Sequence, residues 1–233
     1  MMKDFDSRSK LIDNIVQALT ESDVDGVNID FENMYKEDKD NYSRFIIELT
    51  PRLRAVGKTV LVDVTAPDGS DTWSQCYNRY VLGKVADYLV FIGYDQHNAS
   101  SKEAGSVDSA DWVELNIKKF LGQEGVNKDK LILAMPFYTR LWREQNGNVK
   151  SNVVNMKDIM IPYNLEKKWD DNAKQYYIEY QKDGATYKMW IQDASSISAR
   201  IDLVNKYGLK GAGFWEKDRE TPDVWQVVKE KLN

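Results

Sequence analysis

The stretch Asp25-Gly26-Val27-Asn28-Ile29-Asp30-Phe31-Glu32 carries the strongest fold signal in this chain. Apolar and polar residues alternate along it, which is typical of a β-strand with two different faces. The polar face then carries one amide and two carboxylates, from Asn28, Asp30 and Glu32. Two carboxylates this close raise the pKa of at least one, so we expect Glu32 to hold a proton near neutral pH and to act as a general acid.

Two other interpretations fit the same residues. The stretch is also compatible with a solvated edge strand whose acidic residues have no special role. It is further compatible with a ligand set for a hard cation such as Mg²⁺, formed by Asp25, Asp30 and Glu32. Strand alternation turns Asp25 away from the other two carboxylates, which argues against a shared ion.

Composition excludes several classes of protein. The 233 residues suit one domain with a small appended lobe, and the net charge of -5 argues against a nucleic-acid partner. The single Cys76 excludes an internal disulfide, and with the single His97 it excludes a Cys- or His-based metal cluster. We therefore expect no cofactor and no metal. No apolar run is long enough to cross a membrane, so no membrane partner is expected.

The first residues, Met1-Met2-Lys3-Asp4-Phe5-Asp6, lack the apolar core of a secretion signal. This observation leaves the location of the protein open.

Apolar segments alternate with amphipathic helices over most of the chain. Helices are predicted at 7–22, 38–56, 108–121 and 194–207, and strands at 27–31, 59–65, 88–94, 131–135 and 211–216. This alternation predicts an α/β fold with a parallel sheet covered by helices. Polar residues gather where the strands end, as in a β/α barrel or a doubly wound open sheet. No glycine-rich phosphate loop supports nucleotide binding. Asp63 is expected either to face the sheet interior beside the acidic row or to cap a helix.

The alternation is interrupted at 143–190, which we interpret as a small α+β lobe inserted between the last two strands of a barrel formed by 1–142 and 191–233. The lobe is predicted to be irregular up to a hairpin, 175–190, that turns at Lys182-Asp183-Gly184. After it, Ser195 or Ser196 is predicted to cap helix 194–207, and Gly208 to end it. Thr221-Pro222 is predicted to open the last helix.

Four motifs resemble glycoside hydrolase family 18, the chitinase-like β/α barrels. The stretch from Asp25 to Glu32 is similar to the family signature Asp-x-x-Asp-x-Asp-x-Glu of the fourth strand. Tyr94-Asp95, Pro136-Phe137-Tyr138 and Gly213-Phe214-Trp215 are similar to the ends of its sixth, seventh and eighth strands. Details of these motifs look most like the bacterial branch of spore-cortex and cell-wall glycosylases.

The resemblance implies a substrate-assisted, retaining cleavage of β-1,4 bonds in N-acetylglucosamine-containing glycans. It implies that Glu32 protonates the glycosidic oxygen, that Asp30 orients the substrate acetamide, and that Tyr94 hydrogen-bonds the acetamido oxygen. The implied substrate-binding residues are Asn28, Asp95, Tyr138, Trp142 and Trp215.

The sequence departs from the family pattern in two ways. Asn28 stands where many chitinases have an Asp that shares a proton with the middle carboxylate. In addition, the first three barrel strands are missing, so a partial (β/α)8 barrel with about five strands is expected. We interpret the chain as a fragment, or as a protein completed by an upstream domain or by self-association.

Three alternatives to the glycosidase stay open. The chain is also compatible with a chitin- or peptidoglycan-binding module without catalysis, with an inactive truncated fragment, and with a metal-dependent hydrolase. The resemblance implies a polysaccharide partner and an extracellular, cell-wall or spore location.

Overall fold

A computed structural model of the protein describes residues 2–162 and 165–232. Residues 1, 163, 164 and 233 of the predicted domains lie outside the described residues. The chain divides into two compact units. Unit 1 is Met1–Ile92 with Asn116–Ile132, and unit 2 is Gly93–Leu115 with Leu133–Asn233. Among the described helices, none combines the length and apolar character needed to cross a bilayer.

Unit 1 consists of alternating helices and strands, as the sequence predicted. Its elements are α1 (Phe5–Thr20), β1 (Gly26–Ile29), α2 (Lys39–Ala55), β2 (Thr59–Val64), α3 (Arg79–Val85) and β3 (Tyr88–Ile92). Two further elements cross the boundary to unit 2: α4 (Ala110–Gly122) and β4 (Leu131–Pro136). Helix α3 was not predicted, because seven residues are too few for a clear helical period.

The strands of unit 1 pair in parallel. Gly26 lies opposite Thr59 in the β1–β2 ladder, and Leu61 lies opposite Tyr88 in the β2–β3 ladder. A Cβ atom on Gly26 would lie 2.2 Å from the Thr59 carbonyl oxygen, so only glycine fits there. This close approach fixes where β1 starts relative to β2, and it therefore fixes which side chains of the two strands are neighbours.

Helix α2 supplies much of the core of unit 1. Its apolar face is fully buried and consists of Tyr42, Phe45, Ile46, Leu49 and Leu53. Gly57 follows the helix with φ 74°, a left-handed conformation that commonly ends a helix. Cys76 is 0% exposed and packs as a small apolar residue.

Unit 2 contains an antiparallel sheet, two helices and the last parallel strand. Its elements are β5 (Tyr138–Gln145), β6 (Asn148–Asn155), β7 (Lys168–Asp170), β8 (Gln175–Lys182), β9 (Ala185–Ile191), α5 (Ala194–Tyr207), β10 (Gly211–Trp215) and α6 (Asp223–Lys231). The antiparallel strands follow the order β6-β5-β9-β8-β7. Ile178, Met189 and Ile191 form the buried core of this sheet.

The antiparallel sheet begins at Tyr138, before the start of the predicted lobe at residue 143, and it has more regular strands than the sequence predicted. The sequence predicted irregular structure from 143 to 175, which is wrong, because β5 and β6 form a hairpin there. Its turn is Asn146-Gly147, with φ 50° and 74°. The predicted β8–β9 hairpin is confirmed, and its turn residues Asp183 and Gly184 also have positive φ.

The caps of the last two helices differ from the prediction. Asp193, and neither Ser195 nor Ser196, is the N-cap of α5, since its carboxylate accepts from the Ser196 backbone N–H at 3.0 Å. The Ser196 hydroxyl completes a capping box from inside the first turn. Gly208 ends the helix in the left-handed conformation, as predicted. The final helix begins at Asp223, so Pro222 lies at its N-cap position.

The parallel strands form one sheet in the order β1-β2-β3-β4-β10. Five parallel strands confirm the predicted partial β/α barrel.

Candidate active site

The C-terminal end of β1 carries the predicted acidic row of unit 1. Asn28 lies within the strand, and Asp30 and Glu32 follow its last residue. On the opposite face, the Phe31 ring stacks on Phe45 with centroids 5.9 Å apart. The alternation predicted from the sequence therefore continues past the end of the strand, and Asn28 and Asp30 remain exposed.

Asp63 of β2 joins this row. The Asn28 side-chain amide donates a hydrogen bond from Nδ2 to Asp63 Oδ2 at 3.1 Å. The other carboxylate oxygen, Asp63 Oδ1, is buried and has no hydrogen-bond partner among the described residues. Of the two roles expected for Asp63, the structure therefore shows the interior partner and not the helix cap.

The environment of Asp63 favours its neutral form. Burial raises the pKa of Asp63 to about 7, and the negative charge of Asp30 acts in the same direction. The hydrogen bond from Asn28 opposes the shift, and Glu32 adds to it. Unit 1 therefore holds a carboxyl group that exchanges its proton near neutral pH, on the strand next to the one where the sequence predicted it.

Two tyrosines, Tyr77 and Tyr42, lie next to Phe31 in the segment of the acidic row. The Tyr77 hydroxyl donates to the Phe31 carbonyl oxygen at 2.8 Å, which holds the backbone next to Glu32. The Tyr42 hydroxyl is buried and has no hydrogen-bond partner among the described residues. The contact of Tyr77 was not predictable from the sequence, because this residue lies in a connecting segment without periodicity.

In unit 2, the structure brings Tyr94, Asp95 and Tyr138 together. The Tyr138 hydroxyl donates to Asp95 Oδ1 at 2.7 Å, and the rings of Tyr94 and Tyr138 meet edge to face with centroids 6.0 Å apart. Asp95 has φ 62°, a conformation that Asp tolerates better than most residues. Burial, followed by the charge of Asp95, raises the pKa of Tyr138, so the phenol stays protonated and acts as a donor.

The two predicted tryptophans have different environments. Trp215, the last residue of β10, is 47% exposed and offers an open ring face, and its peptide bond to Glu216 is cis. Trp142 is 1% exposed, and its Nε1 donates to the Gly105 carbonyl oxygen at 2.9 Å. Its ring packs edge to face against His97. We correct the expectation that Trp142 binds substrate, since its side chain is enclosed by protein.

Metal binding finds no support in the geometry. Among the described residues, no group of three or more His, Cys, Asp or Glu side chains is arranged to hold an ion. Asp25 precedes the first residue of β1 and is exposed.

The chain belongs to the family described as Glycosyl hydrolases family 18, which matches residues 1–220. Among curated proteins, it is 28% identical over 96% of its length to "Putative sporulation-specific glycosylase YdhD" of Bacillus subtilis (strain 168), of which it covers 54%. It is 20% identical over its whole length to the cortical fragment-lytic enzyme of Bacillus anthracis, of which it covers 55%. The chain thus spans about half the length of these curated relatives.

The fold agrees with solved structures of this family. The crystal structure of a chitinase from Chromobacterium violaceum ATCC 12472 superposes with a TM-score of 0.88 and 26% identity. The match covers 98% of this chain and 72% of the chitinase chain. The partial β/α barrel therefore corresponds to part of the fold of this chitinase.

Proposed function

We propose that this protein is a glycosidase that cleaves β-1,4 bonds in N-acetylglucosamine-containing glycans. Family membership and the printed names of its relatives, which include a cortical fragment-lytic enzyme and a chitinase, support this activity. Chitin-like polymers and spore-cortex peptidoglycan are the proposed substrates. By the same comparison, we infer a location at the spore or the cell wall.

The observation that carries the proposal is the acidic row of unit 1. Asn28, Asp30 and Glu32 follow one another at every second residue, as the family signature requires, and Asp63 adds a carboxyl group with a raised pKa. Such clustering of carboxyl groups is costly in a folded protein and is found at catalytic sites. The row supports proton transfer to a leaving group more directly than any other cluster of unit 1 does.

The proposed mechanism uses the acidic row, Tyr94 and the substrate's own acetamido group. Glu32 protonates the glycosidic oxygen while the acetamido carbonyl oxygen attacks the anomeric carbon and displaces the leaving sugar. Asp30 orients the acetamide and stabilises the positive charge of the oxazolinium ion that forms. Water then attacks the anomeric carbon, and Glu32 takes up its proton, so the enzyme returns to its initial state and the anomeric configuration is retained.

Among the residues of unit 2, Tyr94 is assigned to catalysis, and Asp95, Tyr138 and Trp215 are assigned to substrate binding. Tyr94 hydrogen-bonds the acetamido oxygen, and Asp95 and Tyr138 bind sugar hydroxyl groups. Trp215 stacks on the apolar face of a sugar, for which its exposed ring is suited. These assignments follow the family motifs, residue by residue.

Replacement of the acid tests the proposal. Glu32→Gln keeps the size of the side chain and removes the proton, so hydrolysis of p-nitrophenyl N,N′-diacetylchitobioside and release of sugars from cortex fragments should fall by about 10²-fold or more. The exposed Glu37→Gln in the same unit is the matched control and should retain full activity. Circular dichroism and thermal melting establish that both variants fold. Full activity in folded Glu32→Gln contradicts the proposal.

A glycan-binding module without hydrolysis is the second candidate, favoured by the exposed ring of Trp215. Calorimetry with chitooligosaccharides and chromatography of the same samples distinguish the two candidates. Binding by the unmodified protein with no product after prolonged incubation selects the binding module.

A further inference from the structure

Asn28 lacks the ionisable carboxyl group that the other residues of the acidic row carry. An amide donates and accepts hydrogen bonds but does not take up a proton at the pH values where carboxyl groups do. The neighbouring strand places a carboxyl group within hydrogen-bond distance of this amide, since Asp63 Oδ2 lies 3.1 Å from Asn28 Nδ2. The parallel register of β1 and β2 pairs Asn28 with Leu61 and Ile29 with Val62, so Asp63 lies two residues beyond the partner of Asn28 and on the same face of the sheet.

We propose that Asp63 is a positioning residue that holds a proton for the Asp30–Glu32 pair and fixes the orientation of the Asn28 amide. The inference rests on the proposed function, because it concerns the same acidic row. Asp63 does not contact the bond that is cleaved in this scheme, and its proton stays on the protein throughout the reaction.

The hydrogen-bond inventory of Asp63 favours a neutral carboxyl group. Oδ2 accepts from the Asn28 amide, whereas Oδ1 is buried without a hydrogen-bond partner among the described residues. A carboxylate with one buried oxygen that accepts no hydrogen bond is costly. A proton on Oδ1 removes the charge and keeps Oδ2 free to accept from Asn28.

The charged groups around Asp63 act in the same direction. Asp30 and Glu32, from the segment that follows β1, both interact unfavourably with an ionised Asp63. Tyr42 of α2 also interacts electrostatically with Asp63. Its buried phenol stays neutral because burial raises its pKa well above the usual value. On β3, the residue paired with Asp63 is the apolar Val90. No positive group of unit 1 is among those that shift the pKa of Asp63.

The same hydrogen bond fixes the orientation of the Asn28 amide. Asp63 accepts one hydrogen of Asn28 Nδ2, which leaves the second Nδ2 hydrogen as a donor for other groups on its face of β1. Asp30 is the next residue on that face. The missing Asp of the family pattern is thus replaced by two side chains: Asn28 supplies the contact, and Asp63 carries the proton.

Two measurements test the proposal. In the first, the pH dependence of kcat/KM is recorded for the unmodified protein, for Asp63→Asn and for the exposed control Asp40→Asn. Asp63→Asn preserves size and the acceptor for Asn28 but cannot ionise. Above about pH 7 Asp63 is ionised in the unmodified protein, and its negative charge opposes loss of the proton from Glu32. Asp63→Asn removes this charge, so the alkaline limb should move by about one pH unit to lower pH. The control should leave the limb in place. An unmoved limb in active Asp63→Asn overturns the proposal.

In the second measurement, carboxyl ¹³C chemical shifts are followed between pH 3 and 9 in Glu32→Gln, which retains Asp63. One Asp carboxyl should titrate near pH 7, above the buried Asp108, whose pKa burial raises to about 6, and this resonance should be absent from the double variant that also carries Asp63→Asn. A spectrum in which no Asp carboxyl titrates near pH 7 overturns the proposal without the need for a folded Asp63 variant. Activity that persists in Glu32→Gln rejects the proposed function itself, whereas loss of activity there with no neutral titration rejects only the role of Asp63.

Discussion

Arg200 Nε lies 3.1 Å from Asp108 Oδ2 in unit 2, and both side chains are almost completely buried. The amides of Gln175 and Gln192 donate to the same carboxylate at 3.2 and 3.3 Å. Burial raises the pKa of Asp108 to about 6, although Arg200 and the two amides oppose the shift. Gln192 also donates to the Pro136 carbonyl oxygen, so this network ties α5 to the end of β4.

We expect Arg200→Ala to destabilise unit 2 strongly, because it leaves Asp108 buried without its cation. The loss in the free energy of unfolding should be about 3–5 kcal/mol. Arg52→Ala is the control: Arg52 pairs with Asp13 at 2.7 Å, but both side chains are exposed, so the loss should be below about 1 kcal/mol. Urea unfolding monitored by tryptophan fluorescence measures the loss in each variant. Similar losses in the two variants contradict the claim that the buried ion pair contributes more to stability than the exposed one.

The cap of α5 gives a second prediction. Asp193→Ala removes the carboxylate that accepts from the Ser196 N–H, and it should cost about 1 kcal/mol. Ser195→Ala changes an exposed residue of the first turn and should alter stability by less than about 0.5 kcal/mol. Thermal melting of the two variants distinguishes the observed cap from the one predicted from the sequence. A larger loss for Ser195→Ala refutes the cap assignment.

Asp63 makes stability depend on pH. Its pKa is raised from 3.8 to about 7, so between these values the folded state binds more protons than the unfolded state. The contribution of Asp63 is therefore fully present below pH 4 and is lost as pH rises through about 7, with a slope of at most about 1.4 kcal/mol per pH unit. Asp63→Asn should remove this slope from the urea-unfolding free energies, and Asp40→Asn should retain it. If the unfolding free energies of the unmodified protein and of Asp63→Asn depend equally on pH, the assignment of this slope to Asp63 is wrong.

Trp215 gives a prediction on binding. Trp215→Ala removes the exposed ring and should weaken the binding of chitooligosaccharides about tenfold, which corresponds to about 1.4 kcal/mol. Trp169→Ala is the control in the same unit, since Trp169 is similarly exposed, at 41%, and packs on Tyr176. Calorimetry at constant pH measures the chitooligosaccharide affinity of Trp215→Ala and of Trp169→Ala. Equal affinities for both variants argue against stacking at Trp215.

The parallel sheet could be predicted from the sequence because its signals are local. Continuous apolar strands and amphipathic helices each identify themselves within a few residues, and the Asp25–Glu32 alternation fixed which face carries the carboxylates. The β5–β6 hairpin also had a local signal, the Asn146-Gly147 pair, which is typical of a two-residue turn. The sequence analysis missed it because the flanking residues are polar.

The contacts between side chains were not predictable in the same way. The pairing of Asn28 with Asp63 depends on the register of two strands 35 residues apart, which no local pattern encodes. Burial of Trp142 depends on the Gly105 carbonyl oxygen and on His97, both from a distant segment. The sequence thus predicted the residues of the acidic row but not the carboxyl group with the raised pKa.

The rate at which the single thiol of the chain reacts can report the rate at which unit 1 opens. Cys76 is shielded from solvent, and burial also raises its pKa, so a disulfide reagent should react with it only when this half of the protein transiently unfolds. Since no other cysteine competes, labelling kinetics report on that event alone, without any engineered reporter group.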